Sequence, residues 1–130
     1  MYRVLGGLTV LLMILVTSPW WVRMLARRVL RLPGAKVNPL IKKLRLIHKP
    51  LGAALLVIAA VHGYLALRAL QLHTGTLAYL ALLTTAILGI AFAARKKPPI
   101  FKWHKRAALL TVLLILLHLI APGALNALLR

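Results

Sequence analysis

The sequence predicts an all-α fold, an integral membrane four-helix bundle. Three observations predict it. Of the 130 residues 62% are hydrophobic, and the mean hydropathy is +0.92, beyond the apolar share of a soluble domain. The apolar residues are gathered into four runs, each long enough to cross a bilayer as a helix. The 18 Lys and Arg residues, with no Asp or Glu to balance them, fall in clusters between those runs. Membrane orientation and anionic lipid headgroups account for such clusters. Nucleic-acid binding would need the charges spread over a folded polar surface, so no nucleic-acid partner is expected.

Helices are expected over residues 4–22, 40–68, 77–94 and 100–121 of a single transmembrane domain. The first could be mistaken for a signal peptide, but no Ala-x-Ala-like cleavage site follows it. Trp20 and Trp21 read as interface anchors at its end. Pro33-Gly34 reads as a break. Asn38-Pro39 then reads as a helix start, with Asn as N-cap and Pro at the first helical position. Pro50 has no N–H for the Leu46 carbonyl, and a bend is expected there. Arg68 to Thr76 reads as a loop, with Gly75 as its breaker and His73 as an exposed residue. The third helix is apolar and free of histidine. Pro98-Pro99 suits the start of the fourth helix, and Pro122-Gly123 its end.

Charge asymmetry sets an expected orientation. The loop region 23–49 carries nine Lys or Arg and region 95–106 carries six. The opposite side has only Arg3, Arg68 and Arg130. By the positive-inside rule both basic loops are expected in the cytoplasm and both termini outside. The second and fourth helices are then parallel.

Those two helices carry the chemistry. His48 and His62 are 14 residues apart, and so are His104 and His118. At about 100° per residue the second histidine of each pair returns to within roughly 40° of the first, ~21 Å further along. In parallel helices His48 then stands level with His104, and His62 with His118. A lone histidine in a membrane helix can simply bond to a neighbouring helix, and His48 and His104 lie near the basic interface. His62 and His118 lie deep in apolar sequence, where an unpaired polar group costs several kcal/mol.

Few cofactors suit this set. Without carboxylates there is no paired acid/base site and no Ca²⁺ or Mg²⁺ cage. Without cysteine there is no zinc–thiolate site, no iron–sulfur cluster and no covalent haem attachment. Two histidines per level are too few for zinc. Haem takes two protein ligands on opposite sides of an apolar ring, and helix bundles hold such groups between facing helices. Two non-covalent b haems are therefore expected, an inner one on His48 and His104 and an outer one on His62 and His118. Gly52, Ala59 and Ala108 would let a flat ring approach the backbone, with Thr111 on the same face; close packing of membrane helices is the alternative use of such small residues. Lys49, Lys105, Arg45 and Arg106 are candidates for the inner propionates, with positive-inside charge as the main role of most of them, and Arg68, His73 or Thr74 for the outer ones. Each ligand's other ring nitrogen is expected to donate to a carbonyl one turn back.

Two His-x13-His helices separated by a histidine-free helix resemble the di-haem core of membrane b-type cytochromes. The quinol-oxidising cytochrome b family and the ferric reductase/NADPH oxidase transmembrane domain share that core. The resemblance covers residues 4–121. It implies that His48, His62, His104 and His118 are axial ligands and that the first and third helices are bundle walls. It also implies transmembrane electron transfer; it leaves the donor and acceptor open, with a quinone and a redox subunit as the candidates. The extra helices, the flavin or nicotinamide domain and the acidic residues of those families have no counterpart here. The rival expectation is a haem-free structural or anchor subunit of a membrane complex.

Overall fold

The computed structural model describes residues 1–67 and 73–128. Among them there is no strand. Four long helices make up the chain: α1 (Tyr2–Met24), α2 (Gly34–Leu67), α3 (Thr74–Arg95) and α4 (Pro98–Ile120), followed by a short α5 (Ala124–Leu128). A π-helical turn, Leu25–Val29, continues α1. All four long helices are long and apolar enough to cross a membrane, and the chain is a multi-pass membrane protein. Contacts gather the residues into two compact units, Met1–Ile58 and Ala59–Arg130.

In the first unit, α1 accommodates a proline in mid-course. Pro19 has no N–H to give the Leu15 carbonyl, and the Ser18 hydroxyl donates to that carbonyl instead, at 2.6 Å. Thr17 donates to the Met13 carbonyl at 2.8 Å and the Trp21 indole N–H to Ile14 at 3.1 Å. Side chains thus satisfy backbone groups that no water could reach inside a bilayer. Beyond the π turn the chain reverses through Arg31, at φ 50°. The Leu32 N–H closes this reversal onto the Ala26 carbonyl at 2.9 Å.

Helix α2 begins six residues before its expected start at residue 40. Pro33-Gly34 is the entrance to the helix rather than a gap ahead of it, and Asn38-Pro39 lies inside. Pro39 costs one helical bond, to the Ala35 carbonyl. The apolar contact of this segment offsets that loss: Val37 and Ile41 are buried against Ala26, with Val22 and Leu44 beside them. Asn38 is no cap, and its side-chain carbonyl accepts from the Arg27 guanidinium at 3.2 Å. The helix continues through Pro50 to Leu67.

In the second unit α3 and α4 form an antiparallel hairpin. Lys96 turns the chain with φ 51°, and its N–H bonds to the Phe92 carbonyl at 2.8 Å. Pro98 follows at the start of α4, where a missing N–H costs nothing. The seam buries Ala78, Leu82 and Thr85 of α3 and Thr111 and Ile115 of α4. The two threonine hydroxyls meet across it at 3.0 Å. Replacing Thr85 by valine should destabilise the hairpin by about 1 kcal/mol, as membrane interhelical hydrogen bonds do. Unfolding in mixed detergent micelles measures this. Thr84→Val is the control, because Thr84 is exposed and bonds only its own helix, at Leu80. The outward face of α4 (Leu109, Leu113, Leu116 and Ile120) stays exposed in the chain itself, as a lipid-facing surface does.

Candidate functional site: histidines and the acceptors that hold them

His48, His62, His104 and His118 are all half-buried. His48 on α2 places Nδ1 2.8 Å from the Val16 carbonyl of α1. His104 on α4 places Nδ1 2.8 Å from the Thr85 carbonyl of α3. A carbonyl can only accept, so both rings carry their proton on Nδ1. His118 reaches the same state by a longer route. Its Nδ1 lies 2.9 Å from the Thr74 hydroxyl, which itself donates to the Pro122 carbonyl at 2.8 Å. With its one proton given to Pro122, the hydroxyl accepts from His118. In the neutral form of all three rings the lone pair is therefore on Nε2, the nitrogen that can ligate a metal.

The expected acceptor, a carbonyl one turn back on the same helix, is not the one used. Val16 and Thr85 belong to neighbouring helices. The reason is geometric: within a helix the preceding carbonyls point along the axis into the helix's own bonds, whereas a side chain leaning sideways meets the next helix. Val16 lies three residues before Pro19, and Thr85 one turn before Gly89.

Glycines determine where the α4 rings sit. A Cβ on Gly89 would stand 3.1 Å from His104 Cε1, and one on Gly75 would stand 3.1 Å from His118 Cε1. Both rings therefore lie on bare backbone. Gly75 and Gly89 are 14 residues apart, the same interval as His104 and His118, read in the antiparallel direction. Gly75 lies in the first turn of α3, not in a loop as its breaker. The helix-packing role of these two glycines is absent from the sequence reading, although their shared interval was a signal available to it.

His73 differs from its expected place. It is half-buried at the N-cap of α3, where its Nδ1 accepts the Gly75 N–H at 3.4 Å. The proton of the neutral ring is then on Nε2, the opposite tautomer to His118. Its ring stands edge-on to that of His118, with centroids 5.6 Å apart and planes at 81°. His62, on α2, is also within electrostatic reach of His118. The contact observed in the second unit is that of His73 with His118.

The other expected site residues divide. Gly52, Ala59 and Ala108 are half-buried, and a Cβ on Gly52 would meet nothing within 4 Å. Thr111 is taken up by Thr85 and by the Ala107 carbonyl at 2.9 Å; it fastens α4 to α3 instead of lining an open face. Thr74, 2% exposed, likewise serves His118 and not solvent. Lys49 is exposed. Lys105 stands 5.0 Å above the Phe101 ring, which packs on Phe92 of α3 at 4.9 Å. Arg68 lies outside the described residues. Among those residues, no three or more potential ligand side chains gather round one point. Comparison with protein-family models, with curated proteins and with solved structures finds no match.

Proposed function

We propose that this chain is a membrane di-haem b-type cytochrome that moves single electrons across the bilayer. The observation that carries the reading is the preparation of the ring nitrogens. His48, His104 and His118 each commit Nδ1–H to a neighbouring acceptor, which orients the ring and puts the lone pair of the neutral form on Nε2. Outer-shell hydrogen bonds of this kind typically accompany metal-ligating histidine. His62 and His118 are assigned to the outer haem; the sequence register assigns His48 and His104 to the inner one. When bound, the haem iron supplies a one-electron couple. The chain's own part is to hold each imidazole at a fixed tautomer, to keep water from the centre and to place apolar side chains round it. The positive-inside rule places both basic loops in the cytoplasm.

A reduced-minus-oxidised spectrum of the purified protein tests the reading. Bands of the b type and two haems per chain in a pyridine haemochromogen assay are expected. A colourless protein that is fully helical in detergent would exclude it. That outcome belongs to the second reading, a haem-free anchor subunit, in which the same histidine bonds have a structural role. The His104–Thr85 and His118–Thr74–Pro122 bonds fasten α4 to α3 without any cofactor.

A further inference from the structure

We infer that the basic end of α1 holds a phosphate group, and that its arginines form a site for an anionic headgroup, independently of any haem. Trp20, Arg23, Met24, Arg27 and Arg28 line a recess of about 320 Å³. They recur at the spacing of a single helical face. Their arrangement is built rather than loose. Ala26, buried against Val37 and Ile41, anchors the opposite side of the same turn. Asn38 holds the Arg27 guanidinium at 3.2 Å. The π turn, Leu25–Val29, carries both Arg27 and Arg28, and such turns recur at functional sites.

Arg23 carries an unmatched donor. Its Nε is buried and has no hydrogen-bond partner. A buried guanidinium nitrogen left unmatched is unfavourable, and the chain cannot supply its counter-charge, because it has no Asp or Glu. An anion from outside would meet both the unmatched donor and the charge. Three guanidiniums on one face match the oxygens of a phosphate, which arginine binds through paired N–H groups. The recess opens beside Trp20, which is 66% exposed, at the end of a membrane-spanning helix. An aromatic ring there sits at headgroup level. The phosphate of an anionic phospholipid meets these conditions; soluble phosphate offers the same chemistry.

The test uses the full chain with Trp20 as its only tryptophan (Trp21→Phe, Trp103→Phe), reconstituted in phosphatidylcholine vesicles. Brominated phosphatidylglycerol is expected to quench Trp20 more strongly than the same fraction of brominated phosphatidylcholine. Arg23→Gln should lower that preference about fivefold, the worth of one arginine at an anionic surface. Arg23→Lys, which keeps the charge and loses Nε, should lower it in part. Lys42→Gln/Lys43→Gln removes more charge elsewhere and should change it less than twofold. A second arm titrates inorganic phosphate into plain phosphatidylcholine vesicles. A saturable change in Trp20 emission, lost in Arg23→Gln, assigns the site to soluble phosphate. Silence in both arms overturns the inference, as does an equal loss in the Lys42/Lys43 variant. Circular dichroism confirms that each variant keeps its helix content.

Discussion

On the di-haem reading proposed above, His118→Ala is expected to bind one haem per chain, against two for the native protein. The outer site depends on this ring, and its loss leaves His62 without an opposite ligand. The fold should survive the change. Thr74 keeps its own bond to the Pro122 carbonyl, and the Thr85–Thr111 clamp lies elsewhere on the hairpin. His73 is the one neighbour that could substitute, since its ring already touches that of His118. Its Nδ1 is occupied by the Gly75 N–H and its proton is on Nε2, so it would first have to change tautomer and give up the helix cap. His118→Ala and His118→Ala/His73→Ala should therefore show the same stoichiometry, and His62→Ala should match both. Pyridine haemochromogen absorbance per mole of protein measures it. Two haems retained in His118→Ala would sink the assignment of the outer site.

A methyl group on the ring-bearing glycines should have an effect of similar size from the opposite side. In Gly89→Ala the new Cβ stands 3.1 Å from His104 Cε1 and 3.2 Å from Nδ1. The ring must give by a few tenths of an ångström, which strains its 2.8 Å bond to the Thr85 carbonyl. Overpacking of this kind costs about 1–3 kcal/mol, which corresponds to roughly fivefold to a hundredfold in the retention of a ligand held in that geometry. Gly75→Ala should do the same to His118. Gly63→Ala is the control, because a Cβ there meets nothing within 4 Å. Detergent unfolding reads the packing cost whether or not haem is present, and haem content reads its consequence for the ligand. If Gly89→Ala unfolds no earlier than Gly63→Ala, the ring does not rest on that backbone.

What could be read in the sequence was whatever residue type and spacing encode. Four apolar runs separated by basic clusters mark four helices, and Pro98 marks the start of α4, because these signals are local. The histidine interval was legible for the same reason. The acceptors were not. Val16 and Thr85 are used through their carbonyls, which every residue has, so no letter in the sequence distinguishes them. Thr74 and Thr85 could have been suspected as polar residues in apolar surroundings, yet their partners lie on another helix. The start of α2 was misplaced because Asn38-Pro39 is a strong local capping signal. Burial of Val37 and Ile41 against Ala26 outweighs it, and tertiary contact is invisible to a local pattern.

The matched intervals on α3 and α4 have a further consequence. One residue inserted between Gly75 and Gly89 would turn everything beyond it by about 100° and advance it ~1.5 Å. One histidine could keep its glycine, but the other would meet a side chain. No point substitution repairs that mismatch, whereas an equal insertion between His104 and His118 does. The hairpin can thus change length only in paired steps, like the two rows of a zip, and α3, which bears no histidine, is the gauge against which α4 is cut.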